Sequence, residues 1–290
     1  MMVARQNVRF DMTFRTSAAA ISLVALLGFS SALSAQQAKT PSLEEILERL
    51  DANLNHYDAS VPSFFCDEHV VSQVEHGSRT EDTTVTDSIF RLRRTLDPDN
   101  TTALVESRQI KTVNDKSPTS QKMDGPTMLS GAFEGGLAVV SLKQAACTNY
   151  KLQRVHKKRP ADPYVVSFAT VLMPQNTARC LLKENSKGRV FIDPASMQIT
   201  HLELTTPHHV ITPGDIYRSP FIGERVITVD YAPVLLGGET FWMPSTIDLR
   251  VTSGAGTFHK SIWSFRAAYR NYHKLEVKSR ILPGFKKPAR

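Results

Sequence analysis

Histidines are the first residues whose type suggests chemistry. His208 and His209 lie between Pro207 and Pro213, and His201 precedes them by a few residues. Imidazole is a common zinc ligand, but adjacent residues of a strand point to opposite faces of the sheet. No third ligand stands at a spacing typical of zinc sites, and H-E-x-x-H is absent. The sequence therefore predicts no metal site.

Catalytic motifs are missing from the chain. There is no G-x-S-x-G elbow, no S-x-x-K and no P-loop. The carboxylates that could form an acid and base pair for glycoside cleavage have no spacing that brings two of them together; they are Asp193, Glu203, Asp230 and Asp248. We therefore predict no catalytic residues, no cofactor and no enzymatic activity. An exported hydrolase whose site lacks a motif stays open as an alternative.

The chain has three cysteines, which we interpret together with an export signal. Cys147 and Cys180 flank a strand-like segment in the middle third, and thiols in an oxidising compartment tend to pair. We predict a disulfide between them and a buried free thiol at Cys66. Two alternatives remain for Cys66, namely a nucleophile with a distant histidine, or a zinc ligand without the usual C-x-x-C spacing.

The amino terminus has the composition of a targeting segment. Arg5, Arg9 and Arg15 precede an apolar run over 17–29, and small residues follow over 30–35. The apolar run is shorter than the roughly 20 residues that cross a bilayer, which disfavours an uncleaved anchor. We predict a cleaved signal peptide over 1–35, a single domain over 36–282, a basic flexible tail over 283–290, and a periplasmic or secreted protein.

Basic residues exceed acidic ones, with a formal net charge of +7. The densest basic stretches are 151–159 and 266–290. Because an exported protein meets membranes rather than nucleic acid, we expect the basic tail to contact anionic lipid headgroups, and we expect no nucleic-acid partner. The protein is expected to be a monomer. Solvated strand faces would explain the same charges, and a scaffold that docks through a basic face is a further alternative.

Two periodicities describe the rest of the chain. Apolar residues recur every three or four positions over 41–57, which predicts an amphipathic helix. From Ser63 the period is two, which predicts an antiparallel sheet whose first strands are expected over 64–76, 87–96 and 103–113. Gly237-Gly238 is expected to form a tight hairpin turn. Pro233 and Pro244 predict bulges, and the last strand is expected over 261–282 with a kink near Asn271. The polar stretch 114–136 predicts a mobile loop or lid, and a second, short helix is expected over 137–146.

Alternation along the strands predicts one dry face. The fold class is mainly β (α+β), a strongly curved antiparallel sheet or unclosed half-barrel with the N-terminal amphipathic helix as a lid. A β-sandwich is the alternative. In the curved sheet an apolar cavity lies between helix and strands, and aromatic residues line it or simply fill a core. The residues predicted to line it are Leu47, Leu50, Val229, Tyr231, Trp263, Phe265 and Tyr269.

The second half of the chain resembles a known family. The runs Gly188–Ile199, Val229–Tyr231 and Phe241–Pro244 are similar to the strand and hairpin pattern of bacterial LolA/LolB-like lipoprotein-sorting proteins and of uncharacterised exported proteins related to them. The resemblance implies an unclosed half-barrel with a helical lid. It also implies a non-catalytic periplasmic carrier that holds an acyl chain or lipoprotein in an apolar cavity. It identifies no individual functional residue.

Overall fold

The computed structural model describes residues 40–76, 79–96, 102–121, 133, 137–153, 162–211, 221–253 and 261–276. The described residues belong to one compact unit. The predicted signal peptide over 1–35 and the predicted tail over 283–290 lie outside the described residues. The domain over 36–282 stays a prediction.

One α-helix, α1 (Leu43–Ser60), precedes the strands. Ser42 caps its start: the Ser42 Oγ accepts from the Glu45 backbone N–H at 3.2 Å, and the Glu45 carboxylate accepts from the Ser42 N–H at 2.6 Å. Its buried side chains form the predicted apolar stripe, and they are Ile46, Leu47, Leu50, Leu54 and Tyr57. No helix in the described ranges is long and apolar enough to cross a membrane.

Within the described ranges, ten strands follow the helix. They are β1 (Phe64–His76), β2 (Arg79–Leu96), β3 (Thr102–Val113), β4 (Thr148–Leu152), β5 (Tyr164–Thr170), β6 (Lys187–Ile192), β7 (Ile199–Ile211), β8 (Phe221–Leu236), β9 (Glu239–Ser253) and β10 (Ser261–Lys274). All belong to one antiparallel sheet in the order β3-β2-β1-β10-β9-β8-β7-β6-β5-β4. Because β3 and β4 stay at opposite edges, the curved sheet is not closed into a barrel, as predicted. The sandwich alternative is wrong for the described strands.

Several predicted boundaries are wrong. Strand β2 begins at Arg79 rather than Asp87, because its polar first half pairs with β1 through the backbone and needs no hydrophobic period. Strand β10 ends at Lys274, short of the predicted Leu282, and the chain beyond Glu276 lies outside the described residues. The expected helix over 137–146 is reduced to short helical turns, of which the 3-10 turn Leu142–Gln144 is one.

Turns and bulges of the sheet lie mostly at glycine, proline and asparagine residues. Gly237 and Gly238 have φ angles of 64° and 92°, which confirms the predicted hairpin turn. The β8–β9 register shifts beside Pro244, as predicted, but Pro233 lies in regular register. Proline fits there because β8 pairs with β7 only up to Asp230, so the missing N–H at Pro233 costs no ladder bond. The predicted kink at Asn271 is confirmed by a φ of 55°.

The core lies on one face of the sheet, the concave face, and α1 packs against it. Along β10 the side chains of Phe265, Ala267 and Tyr269 are buried, and their neighbours Arg266 and Arg270 are on the convex face. The register places the β9 residues opposite Phe265 and Ala267 on the same face. The predicted dry face is therefore formed by strands that are distant in the sequence.

Candidate functional site

The residues predicted to line a cavity lie on the concave face or on the buried stripe of α1. Leu47, Leu50, Val229, Tyr231, Phe265 and Tyr269 are buried in one core cluster, and Trp263 packs against it partly buried. The wall continues across β9, because Ile247 pairs with Val229 and Leu249 pairs with Phe265. The structure thus brings these residues onto one apolar surface, and whether a ligand touches them stays a prediction.

Helix α1 is attached to this wall by side chains. The Asn53 amide donates to the Met197 carbonyl at 2.7 Å, and the Tyr57 hydroxyl reaches the Met243 sulfur at 3.8 Å. A cavity of about 30 Å³ remains between helix and sheet, lined in part by Ile199 and Phe241. That volume suffices for about one or two water molecules, not for an acyl chain. The predicted apolar cavity between helix and sheet is therefore almost filled by side chains in this structure.

Phe133 is a second cover of the concave face. It belongs to the stretch predicted to be a loop or lid, it is 1% exposed, and its ring stacks on Phe90 at 4.3 Å with an interplanar angle of 13°. The same ring meets Tyr269 edge-on at 5.0 Å and Phe64 at 5.8 Å. Sequence reasoning missed this contact, because one phenylalanine in a polar stretch carries no periodicity.

A buried ion pair interrupts the apolar wall on β1 and β3. The Glu68 side chain has no exposed surface, and it accepts from Arg108 Nε at 3.0 Å and from the Ser88 hydroxyl at 2.6 Å. The neighbouring charge of Glu68 raises the pKa of Arg108 against the opposing effect of burial. Glu68 occupies a core position in the alternating pattern of β1. A carboxylate at such a position was the one feature of the sequence that could have predicted a buried ion pair.

The disulfide prediction is confirmed. Cys147 and Cys180 are joined, with 5.6 Å between their Cα atoms, and they tie the edge strand β4 to the loop before β6. Cys66 is a buried free thiol, as predicted. Burial, reinforced by the Glu68 charge, raises the pKa of Cys66 well above its ordinary value, so the thiol is protonated and unsuited to nucleophilic attack.

The Tyr231 hydroxyl is a buried polar group within the apolar wall. Tyr231 is 5% exposed, and its oxygen finds no hydrogen-bond partner among the described residues. Burial raises the pKa of this phenol, so it stays neutral at physiological pH. Sequence reasoning placed Tyr231 on the wall but gave no sign that its hydroxyl would be left without a partner.

A charged cluster holds one end of β7. Glu184 accepts from the Val210 backbone N–H at 3.0 Å, from His209 Nδ1 at 2.9 Å and from Arg225 at 3.2 Å. Burial alone would raise the pKa of Glu184, but these hydrogen bonds and the neighbouring positive charges outweigh it and lower the pKa. His209 is therefore engaged with a carboxylate.

The remaining candidates for chemistry are spread over the surface. His201 pairs with Asp230 at 2.6 Å on the convex face, and the Asp193 carboxylate accepts from Ser196 within the turn before β7. Glu203 binds Arg189 at 2.6 Å. Across the described ranges no three histidine, cysteine or carboxylate side chains converge as metal ligands would. Lys151 begins the first predicted basic stretch, most of which lies outside the described residues, as does the tail.

Comparison with known proteins gives a fold likeness. No family model and no curated protein matches the chain. The structure is similar to a LolA superfamily protein from Nitrosomonas europaea, with 8% identity, a TM-score of 0.33, and 80% of this chain and 94% of that chain covered. It is also similar to a DUF1329 family protein from Desulfovibrio piger, with 8% identity, a TM-score of 0.39, and coverage of 81% and 94%. The first of these two proteins bears the name of the superfamily that the sequence pattern resembles.

Proposed function

We propose that the protein is a non-catalytic carrier or binding protein of the periplasm, which holds the acyl chain of a lipid or lipoprotein against its concave face. One observation carries the proposal: the apolar face of an open sheet is covered by α1 and Phe133, neither of which is joined to it by a β-ladder. Such covers can separate from the wall without breaking backbone pairing.

The driving force is burial of hydrocarbon. Each CH₂ group that leaves water contributes about 0.8 kcal/mol. A long chain therefore offsets the separation of α1 from the sheet, since burying each of its four aliphatic core side chains is worth about 1.5–3 kcal/mol. They are Ile46, Leu47, Leu50 and Leu54. An exported domain with a disulfide is consistent with a periplasmic location.

The first experiment is mass spectrometry of the protein purified natively from its envelope. Co-purifying acyl-chain ligands support the carrier function. An empty protein that turns over ester or glycoside substrates supports the hydrolase alternative, and an empty, inactive protein that docks on vesicles supports the scaffold.

The wall itself is tested by Trp263→Arg. Charge on the concave face is expected to abolish lipid retention while the sheet stays folded by circular dichroism. Ser264→Arg is the matched control, because it introduces the same charge one residue away on the convex face. Retention at the wild-type level in Trp263→Arg would reject the wall assignment.

A further inference from the structure

The Tyr231 hydroxyl is buried in an apolar wall without a hydrogen-bond partner in the described part of the chain. Buried hydroxyls are nearly always bonded, and one left unsatisfied costs about 1–3 kcal/mol. Tyr150 shows the usual arrangement, since its hydroxyl donates to the Val139 carbonyl at 2.8 Å. Asp58, Arg225 and Thr252 also have one buried polar atom without a partner, and Tyr231 is the member of this set that belongs to the apolar core cluster. A partner from outside the chain would satisfy its hydroxyl.

The position of Tyr231 on the sheet suits a ligand contact. It lies where the β8–β9 register shifts, opposite Pro244, and such a bulge re-aims a side chain. Strand β8 runs between β7 and β9, which contribute Ile199 and Phe241 to the small cavity under α1. Tyr231 belongs to the same buried core cluster as Ile199, Phe241 and the apolar stripe of α1.

We propose that the Tyr231 hydroxyl donates a hydrogen bond to the carbonyl oxygen of the ester or amide that links the acyl chain to the rest of the ligand. This inference rests on the proposed carrier function and adds the chemical class of the linkage. A neutral phenol in an apolar wall is a donor for which a carbonyl is a suitable acceptor.

Other ligand groups fit this place less well. A hydrocarbon would leave the hydroxyl unsatisfied, and a free carboxylate would need a countercharge to be buried there. Arg108 and Arg225 on this side of the sheet are already paired with Glu68 and Glu184, and Arg94 donates to the Val61 carbonyl. A neutral carbonyl is the acceptor that satisfies Tyr231 without burying a new charge.

The test compares two probes that differ at one group. Methyl palmitate and heptadecane, delivered from cyclodextrin, compete with the fluorescent hydrocarbon diphenylhexatriene for the full-length mature protein. In Tyr231→Phe the affinity for the ester is expected to fall about tenfold, the size of one hydrogen bond, while the affinity for the alkane is unchanged. The urea midpoint is expected to stay level or rise, since an unsatisfied hydroxyl is removed.

Tyr150→Phe is the matched control, because it removes a hydroxyl that already has a partner. It is expected to lower the urea midpoint and to leave the ratio of ester to alkane affinity as in the wild type. An unchanged ester affinity in Tyr231→Phe would overturn the inference and leave the carrier function standing. If neither probe binds the wild-type protein, the carrier function fails as well.

Discussion

Phe133→Ala removes the aromatic cover from the concave face. The ring contacts Phe90, Tyr269 and Phe64, and each aromatic pair contributes about 0.5–1.5 kcal/mol beyond its area burial. Displacing the ring therefore costs about 3 kcal/mol in these three contacts, apart from the burial of the ring, which the hydrocarbon of the ligand replaces. The apparent affinity of a ligand that must displace the ring is reduced in proportion to the population of the displaced state. Each 1.4 kcal/mol of displacement cost lowers that affinity about tenfold.

The truncation is accordingly expected to tighten binding of diphenylhexatriene by up to about a hundredfold, while the free energy of unfolding falls by about 3–5 kcal/mol. Fluorescence titration gives the affinity, and urea denaturation gives the stability. Phe168→Ala is the control, because Phe168 is equally buried on the concave face but belongs to strand β5. Equal gains in both variants, or none in Phe133→Ala, would refute the idea that Phe133 competes with the ligand.

Further variants test the frame of the sheet. Replacing Cys147 and Cys180 by serine opens a loop with a sequence separation of 33. The chain-entropy relation converts this loop to a loss of about 4 kcal/mol in the free energy of unfolding. Urea denaturation measures the loss, and an unchanged midpoint would contradict it. The folded state lowers the pKa of Glu184 below its ordinary value of 4.5. The ionised carboxylate therefore contributes fully to the free energy of unfolding above that pH, and its contribution is lost as the pH falls through the lowered pKa. In Glu184→Gln the free energy of unfolding is expected to fall less between about pH 5 and pH 3 than in the wild type. An equal fall in both proteins would exclude this stabilising role of Glu184. Gly188→Ala should destabilise by about 1–3 kcal/mol, because its Cβ would collide with the Glu203 carbonyl, and a wild-type melting temperature would refute that clash.

Local patterns predicted much of the fold. The stripe that includes Leu47 and Leu50 predicted α1, and Gly237-Gly238 predicted a hairpin turn, because helix period and positive φ are properties of short segments. The early polar part of β2 was missed, since its strand character comes from pairing with β1 and not from its own side chains.

The candidate site was predictable only in part. Alternation places Val229 and Tyr231 on a dry face, because side chains of a strand alternate strictly. It does not place Phe133 over Phe90 or Arg108 beside Glu68, since those contacts join strands and loops far apart in the chain.

The sequence by itself determined which residues are apolar, where the helix and turns form, and that Cys147 and Cys180 are able to pair. Only the tertiary structure decided that the ten described strands share one open sheet and that Tyr231 is buried without a partner among the described residues. The physical reason is that composition and period act within a few residues, whereas the order of strands and the bonds left unmade depend on the packing of the whole chain.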